Sequence, residues 1–217
     1  MYIEAIDLGK SYDGAVVIEH TSFRADEGES FAFSSPSGSG KSTLLSMLGL
    51  LLDPTSGSVV VDGQEAGALS DDARSDLRLR TFGFVFQHTQ LIGSLRAWEN
   101  VATPARFAAK LDFDPEERAK QLLCELGLED RQNHYPFQLS IGQKRRVALA
   151  RALIMKPQIL IADEPTNDLD SSNAASVTEA LFGHAQRGGI LLYATHDQQL
   201  LERATRVMRL NGKAFEF

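Results

Sequence analysis

Two stretches of this chain place residue types suited to phosphate chemistry at informative spacings. The first is Ser35-Pro36-Ser37-Gly38-Ser39-Gly40-Lys41-Ser42-Thr43, which follows the β-rich run Phe31-Ala32-Phe33 and opens an apolar helical pattern from Thr43 to Leu52. Glycine at 38 and 40 lets successive backbone N–H groups curl around phosphate oxygens, and a helix N-terminus adds partial positive charge. Lys41 would place an ammonium between β- and γ-phosphates, and the Ser42 hydroxyl can ligate Mg²⁺. Residues Ser37, Gly38, Ser39, Gly40, Lys41, Ser42 and Thr43 are therefore the candidate nucleotide contacts. The strict pattern opens with Gly where this chain has Ser35. A β-carbon there strains the turn if the position needs φ > 0.

The second stretch is Ile159-Leu160-Ile161-Ala162-Asp163-Glu164-Pro165-Thr166, an apolar strand ending in two acids. At the carboxyl end of a strand beside a phosphate loop, Asp163 can hold Mg²⁺ through water. Glu164, one residue on, points elsewhere and can orient or deprotonate an attacking water. Two solvated acids closing a strand are the plainer reading of this run alone; the phosphate loop makes it the poorer one.

The elements that must position these groups follow from pattern. Residues 1–34 read as strands and turns, with turn signals at Asp13-Gly14 and Glu27-Gly28-Glu29. Val59-Val60-Val61 with Asp62-Gly63 is a strand and turn, and Thr81 to Gln87 a strand with Phe82, Phe84 and Phe86 on one face. Residues 90–156 look mostly helical, with a helix start at Pro115-Glu116-Glu117-Arg118. Gln158 to Asp163 and Gly189 to Thr195 are buried strands, and Arg206 to Phe217 is a hairpin about Asn211-Gly212. Strands alternating with helices predict a mainly parallel sheet, with the middle helical stretch as an inserted subdomain.

Composition narrows the partners. A formal net charge of −7 argues against a general nucleic-acid binder, and no nucleic acid is expected as partner. The lone Cys124 excludes an intrachain disulfide and is expected to be a buried thiol. The longest apolar stretch, Leu44 to Leu52, is far short of the ~20 residues that span a bilayer. The first residues, Met1-Tyr2-Ile3-Glu4, do not read as a signal peptide. If the protein acts at a membrane, another chain does the spanning.

Further residues complete a family resemblance. Leu139-Ser140-Ile141-Gly142-Gln143 resembles the ABC signature Leu-Ser-Gly-Gly-Gln and runs into Lys144-Arg145-Arg146-Val147-Ala148-Leu149-Ala150-Arg151-Ala152-Leu153. Tyr12 is similar to the family's adenine-stacking aromatic, Gln87 to its Q-loop glutamine, Asn167-Asp168-Leu169-Asp170 to its D-loop and His196 to its switch histidine. These elements stand in family order over essentially the whole chain. Singly they are weak: Tyr12 could be a packing aromatic, His196 a capping or core histidine, Asp170 a helix N-cap and Gln87 a solvated strand end.

The resemblance to ABC transporter ATP-binding subunits implies an α/β P-loop NTPase of ABC type. Its mainly parallel sheet core (about 1–88 and 157–217) would carry an N-terminal antiparallel β subdomain and an inserted α-helical subdomain (about 89–156). It implies an ATPase using ATP and Mg²⁺, with Glu164, His196 and Gln87 catalytic and Ser42, Gln87 and Asp163 at the metal. Tyr12, Ser140, Gly142, Gln143 and Asp170 would join the phosphate loop in holding nucleotide. Ser140 and the Gly142 N–H would serve the opposite subunit's ATP, in a head-to-tail homodimer coupled to an integral permease on the cytoplasmic face of the cell membrane. Leu91, Ile92 and Trp98 could line the coupling cleft, or could equally be core of the helical lobe. Phe82 to Gln87 and Glu99-Asn100-Val101 look like the MacB-type group, which serves lipoprotein release, macrolide and peptide efflux, and haem export, with haem the expected cargo among these. The departures at Ser35 and Ile141 keep a second reading open: a subunit that binds ATP but hydrolyses it weakly, with a structural or regulatory role.

Overall fold

A computed structural model describes residues 1–36 and 38–217, and Ser37 lies outside the described residues. The first half of the chain forms an antiparallel sheet from β1 (Tyr2–Tyr12), β2 (Ala15–Asp26), β4 (Ser56–Val61) and β5 (Gln64–Glu65), in the order β2-β1-β4-β5. A second sheet has the order β10-β9-β3-β8-β7-β6. Its strands β9 (Arg206–Asn211), β3 (Ser30–Ser34), β8 (Ile190–Ala194), β7 (Ile159–Asp163) and β6 (Phe82–Val85) run parallel. β10 (Ala214–Glu216) turns back antiparallel about Gly212, whose φ is 64°, as the Asn211-Gly212 pair predicts.

The parallel strands are apolar on both faces because both are covered. Alternate residues go to opposite sides of the sheet. Phe31, Phe33, Ile159, Ile161, Ile190 and Leu192 pack with Ile3, Leu8, Phe23 and Val59 of the antiparallel sheet and with Leu44 and Leu48 of helix α1 (Lys41–Leu48). Ala32, Leu160, Ala162, Leu191 and Tyr193 pack on the other side. There they meet residues of α3 (Ala97–Ala102), α4 (Pro115–Glu125), α5 (Ile141–Leu153) and α6 (Ser171–Gln186). The carboxyl ends of β3, β6, β7 and β8 thereby share one edge, where ligands bind in open α/β sheets.

Helix α4 starts where its sequence says, with Asp114 as N-cap accepting from the Glu117 N–H at 2.8 Å and Pro115 in the first turn. Its buried stripe is Ala119, Leu122 and Leu123, which turns the neighbouring Cys124 outward. The thiol expected to be buried is exposed. β6 is shorter than the expected Thr81 to Gln87, because Thr81 closes helix α2 (Asp71–Thr81) and Phe86 lies beyond the strand. The three phenylalanines still share a face: ring centroids of Phe82 and Phe84 are 6.1 Å apart, and those of Phe84 and Phe86 5.7 Å. Between β6 and β7, helices alternate with turns, so the expected helical stretch is broken by irregular segments around 89–96 and 126–135.

α6 carries a buried titratable group far from any chemistry. His184 is 8% exposed, and among the described residues its Nε2 has no hydrogen-bond partner. Burial pushes its pKa down, against a hydrogen bond to the Gln158 carbonyl. The folded chain thus resists a proton that the unfolded chain accepts near the ordinary value of about 6.5. His184 costs no stability above that value, and stability falls as pH drops through it toward the depressed folded pKa. Chemical denaturation at stepped pH should show this acid slope, and it should flatten in His184→Leu. An unchanged slope would place the titration elsewhere.

Candidate functional site

The loop between β3 and α1 is shaped by two glycines in the left-handed region, Gly38 at φ 78° and Gly40 at φ 100°. A β-carbon on Gly40 would stand 2.8 Å from Ile18 Cδ1 and 3.0 Å from Val17 Cγ1, so the close approach of β2 also requires glycine. Among the described residues no side chain caps α1, and its first N–H groups are left for a ligand at its N-terminus. Ser35 is not among the residues with positive φ. The strain expected of its β-carbon is therefore absent. Its hydroxyl instead hydrogen-bonds the Ser39 hydroxyl, and Ser39 Oγ donates to the Pro36 carbonyl at 2.6 Å.

Lys41 is 7% exposed. Its ammonium donates to the carbonyls of Ser35 (2.6 Å) and Pro36 (3.3 Å) and lies 3.4 Å from Glu164 Oε1. The other oxygen of Glu164, Oε2, is 2.9 Å from His196 Nδ1, an N–H donor in this pairing. Glu164 is thus held between a lysine from the β3–α1 loop and a histidine that follows β8. Its backbone adopts φ 44°, a left-handed conformation that costs a non-glycine residue about 1–2 kcal/mol. This turn off the end of β7 sends Glu164 and Asp163 in different directions.

Ser42 Oγ donates to Asp163 Oδ2 at 2.5 Å. Burial pushes the Asp163 carboxyl up from the usual range; the Ser42 hydrogen bond opposes this and the Glu164 charge adds to it. Mg²⁺ takes one or two protein oxygens together with substrate phosphates, and a half-buried carboxylate beside a hydroxyl is such a donor set. The residues present therefore fit a nucleotide-borne Mg²⁺.

Gly38, Gly40, Lys41, Ser42, Thr43, Gln87, Asp163, Glu164 and His196 line a single pocket of about 320 Å³. Val17 and Asn167 join them, and neither was marked as a contact by type or spacing. Six expected nucleotide residues lie outside this lining. Ser140 is the N-cap of α5 and forms a capping box with Gln143: the Gln143 N–H donates to Ser140 Oγ (3.2 Å), and the Ser140 N–H donates to Gln143 Oε1 (2.9 Å). Gly142 is buried, and a β-carbon there would stand 2.5 Å from Asn173 Cγ of α6. Asp170 is the N-cap of α6, with its oxygens engaged by the Asn173 N–H, Asn173 Nδ2 and Ser172 Oγ; those bonds pull its pKa down to about 2. Tyr12, 46% exposed, lies outside the pocket lining, with the Lys10 ammonium 5.2 Å from its ring centroid. Ser39 points into its own loop. Ile141 is 60% exposed at the start of α5.

A larger groove of about 710 Å³ opens on the other side of the 86–90 segment, between α2, β6 and α5. It is lined by Leu51, Leu79, Phe84, Phe86, Phe107 and Met155, among others. Leu91, Ile92 and Trp98, expected as possible cleft residues, do not line it. Leu91 and Trp98 pack on the helical core, and Ile92 is exposed.

A phosphate loop and a carboxylate pair at the strand ends of a parallel sheet define a nucleoside-triphosphatase of the P-loop class. Residues 18–167 match the family described as ABC transporter. An uncharacterized ABC transporter ATP-binding protein of Methanocaldococcus jannaschii, MJ1508, is 41% identical over 202 residues, 93% of this chain and 90% of that protein. Two solved structures of the ATP-binding cassette MJ0796 superpose at TM-scores of 0.91 and 0.90, with 34% and 35% identity, each covering 99% of this chain and 97% of that one. The first is a dimeric post-hydrolysis state bound to ADP and phosphate, and the second is also dimeric. This chain belongs to the ABC transporter ATP-binding family. It is an ATPase that uses ATP with Mg²⁺.

Lys41→Ala removes the buried ammonium and leaves Glu164 without its nearest cation. ATP affinity measured by equilibrium titration should fall at least ~10-fold, the scale of one charge-assisted contact to phosphate. Unchanged affinity would mean that the pocket is not the nucleotide site.

Proposed function

We propose that this chain is the hydrolysing subunit of a MacB-type transporter, working as a homodimer beneath an integral membrane permease on the cytoplasmic face of the cell membrane and driving export. The observation that carries the reading is Glu164, clamped between Lys41 and His196 at the mouth of the phosphate loop. Glu164 accepts or orients the proton of the attacking water, while His196 fixes the carboxylate from the solvent side. Lys41 presents positive charge to the phosphates. Gln87, which follows β6 into the pocket lining, would join Ser42 and Asp163 in holding Mg²⁺ and would help orient the water. When Mg²⁺ accompanies the nucleotide, it neutralises phosphate charge beside Ser42 and Asp163.

The dimer is supported by what one pocket lacks. Ser140, Gly142 and Gln143 do not line it, although they stand at the N-terminus of a 13-residue helix. The Ser140 hydroxyl accepts its cap bond and keeps its own hydrogen to donate. An opposite subunit's γ-phosphate is the acceptor we assign to it, and the dimeric MJ0796 cassettes support this arrangement. Tyr12 and Asp170 are assigned to nucleotide on the family resemblance alone.

The chain divides functionally into a core of about 1–88 and 157–217 and a helical lobe of about 89–156. Among the described residues no helix is long and apolar enough to cross a membrane, so membrane attachment is assigned to the permease. The phenylalanine-rich groove against the 86–90 segment is the surface we assign to it. Export and the MacB grouping rest on the resemblance around Phe82 to Gln87. Haem as cargo has no support in the site, and cargo choice falls to the permease. The weakly hydrolysing alternative loses its argument at Ser35, whose backbone is unstrained.

Glu164→Gln should lower turnover by ~10²–10⁴, the usual loss for a positioned base, while keeping ATP. Mg-ATP should then drive this variant into dimers visible by light scattering. Adding Ser140→Arg should abolish the dimers and spare ATP binding. Wild-type turnover in Glu164→Gln, or dimers that survive Ser140→Arg, would overturn the respective assignment.

A further inference from the structure

The signature helix carries a buried cation that the mechanism above does not use. Arg145, in α5, is 3% exposed. Its Nη1 donates to the carbonyls of Phe86 (2.8 Å) and Gln87 (2.7 Å), and its Nη2 reaches the Asn167 carbonyl at 3.4 Å. Its Nε is buried with no partner among the described residues. All three acceptors are backbone carbonyls. Burying a guanidinium without a contacting carboxylate is costly, so the fold holds it there against its own desolvation.

The acceptors sit in two short segments, and each segment delivers a residue to the nucleotide pocket: Gln87 from one and Asn167 from the other. The 86–90 segment lies beyond β6, which ends at Val85; the 164–168 turn is tied to β8 at its start, where the Glu164 N–H donates to the Ala194 carbonyl (3.0 Å), and carries positive φ at both Glu164 and Asp168. A second arginine of the same helix extends the brace. Arg151 Nη2 donates to the Thr89 carbonyl (2.8 Å) and Nη1 to the Gln90 carbonyl (2.9 Å). Arg151 and Gln90 line the large groove, whereas Gln87 lines the nucleotide pocket. Between them, the two side chains hold four of the five carbonyls from 86 to 90.

We propose that Arg145 is a positioning residue for hydrolysis, bridging the Gln87 segment and the Asn167 turn from the signature helix so that both residues face the nucleotide together. The proposal rests on the ATPase reading of the pocket. Arg145 touches no substrate and acts through Gln87 and Asn167. A lysine in its place can donate to adjacent carbonyls from a single point but lacks the planar fork that spans two segments. A glutamine is shorter still.

The test measures Arg145→Lys and Arg145→Gln in the full chain, alone and combined with Gln87→Ala. Turnover is divided by the ATP-binding fraction found by titration, so loss of folded protein does not enter. Turnover per ATP-competent chain should fall at least ~10-fold in Arg145→Gln, with ATP affinity kept, since sub-ångström misplacement of catalytic groups costs rate more than binding. Arg145→Lys should recover only part of it. In the Gln87→Ala background, Arg145→Gln should cost much less than in wild type, because the two changes remove one shared function. Normal turnover per competent chain in Arg145→Gln, full rescue by lysine, or costs that simply multiply with Gln87→Ala would each overturn the proposal. Failure of the ATPase reading itself would look different: wild type would be inactive, or Lys41→Ala would leave hydrolysis intact.

Discussion

A lysine ammonium almost cut off from water must find its counter-charge inside the protein, and the site is organised around how Lys41 does so. Its partners are two carbonyls of the loop that leaves β3 and a carboxylate that follows β7. Those partners meet only because β3, β8 and β7 are neighbours in a parallel sheet and end at the same edge. The register of β7 against β8 pairs Asp163 with Ala194, two residues before His196, and so brings Glu164, the next residue, beside the histidine. The loop's own geometry depends on left-handed glycines, one of them packed against β2 of the antiparallel sheet. Both sheets are therefore needed to place one charge.

The same constraint bears on the proposal that a second chain completes the site. Lys41, Ser42, Asp163, Glu164 and His196 close the pocket on the side of the parallel sheet. Ser140, Gly142 and Gln143 are absent from its lining, and a capped helix N-terminus with an exposed Ile141 stands apart at α5. α5 is also the element whose arginines hold the segment between the nucleotide pocket and the phenylalanine-lined groove. One helix thus bears the surface assigned to a second subunit and the brace that leads toward the surface assigned to a permease.

What the sequence made legible was what lies in contiguous runs. The phosphate loop, the Asp163-Glu164 pair, the parallel strands and the Asn211-Gly212 hairpin each combine local pattern with a local cause. Helix α2 was not legible, because its few apolar residues, Leu77 and Leu79 chief among them, make no 3.6-residue stripe. Val17, Asn167 and Arg145 were missed because their roles exist only through tertiary neighbours; a buried-arginine role cannot be told from a surface charge within Lys144-Arg145-Arg146. Whether Ser35 strains its loop could not be read, because a departure from pattern says nothing of its φ. Cys124 was misjudged because a rule of composition was applied without the helical phase that turns it outward.

The central claim is that each ATP is handled by the phosphate loop of one chain and the α5 N-terminus of another. Mixing two inactive variants tests it most directly. Lys41→Ala spoils a chain's own loop, and Ser140→Ala removes only the hydroxyl it offers its partner, without the bulk that blocks pairing. In a mixed pair one site joins an intact loop to an intact α5, so random pairing leaves about one site in four competent. The account predicts that the two proteins, each inactive alone, regain ATPase activity when mixed. A mixture as inactive as its components would contradict it.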